Sequence, residues 1–261
     1  MDVNALFSVA GKTAIVTGGS RGIGYMIATG LLSSGARVYI TSRKAAVCDQ
    51  AAEELAELGE CISIPADLST SEGLQSFTSA FTEREDKLHI LCNNAGANWV
   101  APLGEMPESG FDKVININLK SPFFLTQALL PQLKAAGTAE DPARVIMTGS
   151  INGIAVPTFV DNFSYSASKA GIHMLARHIG QRLVKDHVTV NSIAPGPFES
   201  QMMAAALEGE GRKLVESMVP MGRIGSPEDV AGTVLFLASR AGAFINGVTI
   251  PVDGGITGFA G

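Results

Sequence analysis

Charge is scarce in this 261-residue sequence: Asp, Glu, Lys and Arg supply 17% of it, and 25 acidic against 19 basic residues leave a formal charge of −6. That balance offers no electrostatic footprint for nucleic acid or an anionic membrane, so neither is expected as a partner. Cysteine is scarcer. Cys48, Cys61 and Cys92 are odd in number, far apart, and lack both a Cys-x-x-Cys pair and a histidine at ligand spacing, which excludes a disulfide framework and a zinc site. No run of about eighteen apolar residues occurs. The start, Met1-Asp2-Val3-Asn4-Ala5-Leu6-Phe7, has an acid where a secretory signal carries a base. The expectation is a soluble cytoplasmic protein.

Apolar residues, by contrast, make up 46% of the chain, far from the composition of disorder. At this length one domain spanning 1–261 is the default. Apolar β-branched runs alternate with longer amphipathic stretches, the pattern of βαβ units around a parallel sheet. Strands are predicted over Thr13 to Thr17, Arg37 to Thr41, Cys61 to Pro65, Leu88 to Asn93, Arg144 to Gly149, Val188 to Ala194 and Val248 to Val252. Helical spacing predicts Ala46 to Leu58, closed by Gly59, then Thr70 to Arg84, Phe111 to Leu133 and Phe163 to Lys185, the last with glycines that mark close packing. A flexible excursion, able to act as a lid, is expected around 197–215.

Between the first strand and the helical run from Met26 lies Thr17-Gly18-Gly19-Ser20-Arg21-Gly22-Ile23-Gly24. A strand that turns sharply into a helix, a diphosphate that approaches backbone, and a helix packed tightly on that strand each need a position without Cβ. The helix N-terminus adds free N–H groups and a positive dipole end. With 29 glycines in the chain the spacing alone is a weak signal; its place between strand and helix strengthens it. After the second strand, where an acid would bond the adenosine ribose of NAD, stand Ser42 and Arg43. Arg43 and Arg21 suit a 2′-phosphate, which makes NADP the expected cofactor. The competing reading of each arginine is a solvated surface cation.

Tyr165 and Lys169 are four apart in a predicted helix and so share a face. A neighbouring ammonium stabilises a phenolate and fits the tyrosine for proton transfer. Ser150 falls at the carboxyl end of the fifth strand, the edge where open α/β sheets place ligands, although a plain turn serine fits Gly149-Ser150-Ile151-Asn152-Gly153 as well.

The glycine turn, Asn93-Asn94-Ala95-Gly96, Asn118-Leu119, Ser150, Tyr165-x-x-x-Lys169, Pro195-Gly196 and Asp253-Gly254-Gly255 follow one another as in the classical short-chain dehydrogenase/reductases, which the whole chain resembles. Within that family it is similar to the 3-oxoacyl-acyl-carrier-protein reductases, including the rhamnolipid branch, through Pro220-Met221-Gly222-Arg223-Ile224-Gly225-Ser226-Pro227-Glu228-Asp229-Val230-Ala231. The resemblance implies a single Rossmann domain with a doubly wound, seven-stranded parallel sheet. It implies hydride exchange between nicotinamide and a carbonyl, with Tyr165 as general acid, Lys169 lowering its pKa and bonding the nicotinamide ribose, and Ser150 bonding the carbonyl oxygen. Asn118 would hold a water that links Lys169 to solvent. Cofactor contacts would come from Gly18, Ser20, Arg21, Gly22, Ile23, Gly24, Ser42 and Arg43, from Asp67 and Leu68 at the adenine, from Asn94, Ala95 and Gly96, and from Pro195, Gly196, Phe198 and Ser200 at the nicotinamide amide. Ser150 and Tyr165 stand fifteen apart, a residue or two more than the family pattern, which lengthens the loop from Ile151 to Asp161.

Residues expected to border the substrate, Asn98 to Val100, Ile151 to Phe159 and Met202 to Leu207, are mainly apolar and suit an acyl chain better than a polyol. The expected reaction is NADPH-dependent reduction of a 3-oxoacyl thioester, on acyl carrier protein or CoA, or of a similar apolar β-keto substrate. A secondary-alcohol, steroid or sugar-alcohol dehydrogenase is the enzyme alternative; a non-catalytic NADP-sensing protein would have no need of Tyr165 and Lys169. Lys134, Arg177, Arg182 and Lys185 are candidates for meeting an acidic carrier protein. The family resemblance implies a homotetramer, or else a homodimer, assembled through the long helices Phe111 to Leu133 and Phe163 to Lys185 and the C-terminal segment.

Overall fold

The computed structural model describes residues 1–157 and 160–258. A short helix, α1 (Val3–Phe7), precedes β1 (Thr13–Thr17), α2 (Gly22–Ser33), β2 (Arg37–Thr41), α3 (Ala45–Leu55), β3 (Cys61–Ser63), α4 (Ser71–Thr82) and β4 (Ile90–Asn93). The second half runs α5 (Glu108–Ile115), α6 (Ser121–Ala128), α7 (Leu130–Ala136), β5 (Ala143–Thr148), α8 (Phe163–Leu183), β6 (Val188–Pro195), α9 (Gly211–Met218), α10 (Pro227–Ala238) and β7 (Thr249–Val252). All strand pairs are parallel, in the order β3-β2-β1-β4-β5-β6-β7. The order reverses between β1 and β4, the switch point where an α/β sheet opens a crevice at its carboxyl edge.

Two apolar layers hold the sheet. On one face Ile27, Leu31 and Leu32 of α2, Leu55 of α3 and Val230, Val234 and Leu237 of α10 pack on Val16, Val38, Ile40 and Ile146. On the other, Phe77 and Phe81 of α4 lie with Leu125, Leu133, Ile172 and Ala176 against Ile15, Leu91, Val145 and Met147. The two phenylalanines, four apart and fully buried, stabilise α4 on the sheet by about 2–3 kcal/mol each. Strands covered on both faces explain their nearly continuous apolar runs.

Local signals place the helix ends. Thr70 caps α4, its hydroxyl accepting from Gly73 N at 3.0 Å, and Ser226 and Asp229 form a reciprocal capping box behind Pro227 at the start of α10. The segment from Pro220 to Ala231 is thus a capping device; Arg223 pairs with Asp229 at 2.6 Å and, with Ser226, holds that carboxyl well below the usual carboxylate range.

The continuous helix predicted from Phe111 to Leu133 is instead interrupted: between α5 and α6 the backbone makes a π-turn, Asn116–Lys120, and α6 ends at Ala128, one residue before α7 begins. A one-residue insertion shifts the helical phase by a single position and leaves the apolar spacing on either side intact, and Pro122 and Pro131 suit helix starts better than interiors. The strand predicted to Pro65 stops at Ser63, and that predicted from Leu88 begins at Ile90. The 197–215 excursion holds a short 3-10 turn, Ala204–Leu207, and the first half of α9.

Candidate active site

The crevice begins where β1 ends. Gly18 adopts a φ of +67°, its amide donates to the Thr41 carbonyl at 2.8 Å, and a Cβ there would stand 3.0 Å from Ala95 Cα. Gly24 packs closer still, since its Cβ would fall 2.3 Å from the Gly18 carbonyl oxygen. Ile23 packs against the core and Ser20 is half-buried. α2 starts at Gly22 with neither a side-chain cap nor an acid in its first turn, so its N–H groups and dipole remain available to an anion.

At the end of β2, Ser42 has a buried Oγ with no hydrogen-bond partner among the described residues, and Arg43 is exposed. Arg21, also exposed, hydrogen-bonds to the Gln201 side chain. Neither arginine joins an ion pair among the described residues. An unspent hydroxyl, two unpaired guanidinium groups and a cradle that a Cβ would fill match a phosphorylated dinucleotide. After β3 the side chains are already engaged: Asp67 accepts from the Ser69 amide at 3.0 Å and hydroxyl at 2.6 Å, while Leu68 is buried in the core.

Across the switch point, Thr17 Oγ1 accepts from the amides of Asn94 and Ala95, both at 2.9 Å, and Asn94 Nδ2 donates to the Thr17 carbonyl at 2.9 Å. These bonds fix the Asn94-Ala95-Gly96 loop beside the glycine turn. β6 delivers Pro195 to the same edge; Gly196 passes so close to Asp253 that a Cβ would lie 2.9 Å from its Cα. Phe198 is a core side chain, 2% exposed, its ring against Gly225. Ser200 crosses over Gly22, its Cβ 3.3 Å from where a Gly22 Cβ would stand.

Tyr165 and Lys169 occupy the first turns of α8, one above the other, with Lys169 Nζ 5.5 Å from the phenol ring centroid and donating to the Thr148 carbonyl at 2.6 Å. Ser150, two residues beyond Thr148, caps the 3-10 turn Ile151–Gly153 and accepts from Asn152 N at 3.2 Å. Burial pushes the Tyr165 phenol above its ordinary pKa, against a smaller downward pull from the Ser150 side chain; burial brings the Lys169 ammonium down to about 8. Lys169 Nζ donates one of its three N–H groups to Thr148 and stands 5.5 Å from the phenol ring centroid, a separation at which an ammonium favours the phenolate.

Asn118 lies inside the π-turn, buried. Its Oδ1 accepts from Ala97 N at 2.8 Å, and its Nδ2 donates to the Ala97 carbonyl and to Ser168 Oγ, each at 3.0 Å. Oδ1 thus accepts one bond and both Nδ2 hydrogens are donated, which fixes the side chain in one orientation. Sequence reasoning did not single out Thr17, Thr148 or Ser168. Thr17 and Thr148 act through position at strand ends, and Ser168 through its bonds to Asn118 and the Tyr165 carbonyl, the latter at 2.7 Å.

A family model described as enoyl-(acyl carrier protein) reductase matches residues 18–257. The chain belongs to the short-chain dehydrogenase/reductase family, and it is an oxidoreductase. It is 46% identical over 250 residues to the rhamnolipids biosynthesis 3-oxoacyl-acyl-carrier-protein reductase of Pseudomonas aeruginosa, covering 95% of this chain and 97% of that protein. It is 34% identical to the 3-oxoacyl-acyl-carrier-protein reductase MabA of Mycobacterium tuberculosis, over 94% of this chain and 92% of that one. The solved Pseudomonas aeruginosa RhlG/NADP active-site complex superposes with a TM-score of 0.94 at 45% identity, covering 97% and 99% of the two chains. A 2-dehydro-3-deoxy-D-gluconate 5-dehydrogenase from Pseudoalteromonas atlantica is 35% identical over 97% of this chain and 98% of that protein.

Proposed function

We propose that this protein is an NADPH-dependent reductase that converts a 3-oxoacyl thioester to the 3-hydroxyacyl thioester. The observation that carries the reading is the Lys169 ammonium, 5.5 Å from the Tyr165 ring centroid and bonded to the Thr148 carbonyl at the strand end that leads into Ser150, at the sheet edge beside the phosphate cradle. NADPH, when bound, supplies the hydride. Ser150 donates to the substrate oxygen and Tyr165 gives the same oxygen its proton, so two fixed donors meet the charge that develops there. Lys169 fixes the helix turn that carries the phenol. Arg21, Arg43 and Ser42 hold the 2′-phosphate side, and the α2 N-terminus the diphosphate.

The walls suit an acyl chain. Val100, Ile154, Val156 and Met202 are exposed apolar side chains around the mouth; of the expected border residues, Thr158 and Phe159 lie outside the described residues. The 197–215 segment, with Met202 and Leu207 on it, acts as the lid. Two relatives named as 3-oxoacyl-acyl-carrier-protein reductases support the substrate class. Arg177 and Arg182 lie roughly 18 and 26 Å along α8 from Tyr165, and Lys134 pairs with Asp186 at 2.9 Å, so neither set lines the mouth; CoA and carrier-protein thioesters are separated by assay.

The test is NADPH consumption with acetoacetyl-CoA, a 3-oxoacyl carrier protein, crotonoyl-CoA and a panel of ketones and keto sugar acids. Turnover of the 3-oxo thioesters and none of crotonoyl-CoA is expected. No turnover of any 3-oxo thioester overturns the reading, and turnover confined to keto sugar acids replaces it with a sugar-acid dehydrogenase.

The working assembly is a homotetramer located in the cytoplasm. Phe111, Phe123 and Phe124 on α5 and α6, Phe163 and Met174 on α8, and Phe244 before β7 are exposed, apolar side chains available to an interface between copies. Light scattering at micromolar concentration tests the oligomer. No described helix is long and apolar enough to cross a membrane.

A further inference from the structure

The 197–215 excursion is rooted by Phe198, whose ring packs on Gly225, and by the Gly225 amide, which donates to the Pro197 carbonyl at 2.9 Å. Beyond that root it stands away from the fold: of residues 201–210 only Met203 and Leu207 are half-buried, and the rest are exposed. Its backbone bonds, Met203 N to Ser200 O and Leu207 N to Met203 O, both 3.0 Å, stay within it, as does the ion pair of Glu199 with Arg212 at 3.3 Å. Among the described residues one side-chain hydrogen bond ties 199–210 to the rest of the fold: Nη1 of Arg21, in the glycine turn, donates to Oε1 of Gln201. Beside it Ser200 covers Gly22, its Cβ 3.3 Å from where a Gly22 Cβ would stand. A segment with so few anchors opens at little cost in free energy, and one bond made or lost shifts its population.

We propose that Gln201 is a positioning residue for Arg21, and that the pair couples the lid to the 2′-phosphate of NADPH. This rests on the reading of Arg21 as a ligand of that phosphate and of the 197–215 segment as the lid. A guanidinium carries five N–H donors in one plane. The bond to Gln201 uses Nη1; Nε and Nη2, side by side on the other edge of the fork, donate to nothing among the described residues. That free edge suits two phosphate oxygens at once. A phosphate seated there immobilises the guanidinium, so the bond from Nη1 to Gln201 then forms at a smaller loss of side-chain entropy than it does from a free arginine. The coupling is reciprocal: the closed lid tightens NADPH by the same factor by which NADPH favours closure. NADH, with a ribose hydroxyl in place of the phosphate, leaves Arg21 free and closes the lid less. Cofactor choice is thereby felt on the substrate side, where Met202 and Leu207 sit on the segment that Gln201 holds.

The experiment measures the Kd of NADPH and of NADH by fluorescence titration, and amide hydrogen exchange over residues 201–208 at saturating concentrations of each, in wild type, Gln201→Leu and Arg21→Ala. In wild type NADPH should slow exchange in the segment about 3- to 10-fold more than NADH does. Gln201→Leu, a change at an exposed position, should lose that difference. It should raise the Kd for NADPH about 3- to 10-fold and leave that for NADH within about twofold of wild type. Equal exchange with the two cofactors in wild type, or an NADPH-specific slowing that survives in Gln201→Leu, would overturn the proposal. So would an unchanged Kd for NADPH in that variant, or equal weakening of both cofactors. Arg21→Ala separates the coupling from the reading beneath it. An unchanged Kd for NADPH there shows that Arg21 meets no phosphate and ends both; a weakened one, beside a lid response intact in Gln201→Leu, ends the coupling alone.

Discussion

Lys169 Nζ donates to the carbonyl oxygen of Thr148 at 2.6 Å, tying the helix that carries the phenol to the strand end that carries Ser150. The bond joins two elements through one buried cation, and the burial that makes it rigid also brings that ammonium down to about 8. Lys169→Met removes both the bond and the buried charge, whose effects on stability oppose. The expected outcome is an unfolding free energy within about 1 kcal/mol of wild type and a kcat reduced at least about 100-fold, measured by urea titration and by NADPH consumption.

Cofactor choice follows from Arg21 and Arg43 at a strand end that holds no carboxylate. Each charge-assisted hydrogen bond to a 2′-phosphate contributes about 1.5–3 kcal/mol. Arg43→Ala should therefore raise the KM for NADPH roughly 10- to 100-fold while leaving that for NADH nearly unchanged. Equal weakening of both cofactors would show that the arginine meets no phosphate.

Much of this was legible in the residues. The strands were readable because a parallel sheet covered on both faces needs continuous apolar runs, and β1 and β2 fall on their predicted bounds. The glycine turn was readable because Gly18 and Gly24 have no room for a Cβ. The π-turn at Asn116–Lys120 was not, since one inserted residue leaves almost no trace in helical periodicity. Nor was the direction of the Tyr165 shift: spacing placed Lys169 one turn away, but only packing shows its Nζ bound to Thr148 and the phenol buried. Thr17 and Gln201 escaped notice because their partners are distant in sequence.

At the opposite, amino end of the sheet, Arg144 of β5 is 1% exposed and donates to the Leu237 and Ser239 carbonyls at 3.0 and 2.9 Å, while Lys12 reaches Ala238 O at 3.1 Å. Two cations thus satisfy the last carbonyls of α10. Arg144→Met leaves the Leu237 carbonyl buried and unpaired, at about 1–3 kcal/mol, while the Ser239 carbonyl keeps the Gly242 amide at 3.2 Å. Urea unfolding should show a loss of about 1–3 kcal/mol with the KM for NADPH unchanged; a loss of cofactor binding at full stability would contradict this.

Stability should also record the buried imidazole. His173 is held at about 4 in the folded protein, chiefly by burial, against an ordinary value of 6.5. Below pH 6.5 the unfolded chain takes up a proton that the folded one refuses, so this contribution is whole above that pH and is lost as pH falls toward 4. The loss is on the order of 3 kcal/mol, and His173→Asn should show a correspondingly flatter pH profile in chemical unfolding. Parallel profiles would contradict the burial of a neutral ring.

The most direct measurement is the turnover of Tyr165→Phe with NADPH and acetoacetyl-CoA beside the affinity of the same variant for NADPH. Loss of the phenolic proton should lower kcat by about 10²- to 10⁴-fold and leave cofactor affinity within about threefold of wild type, a difference below about 0.7 kcal/mol. A variant that reduces the ketone at the wild-type rate would show that the proton comes from elsewhere and that the site has been misassigned.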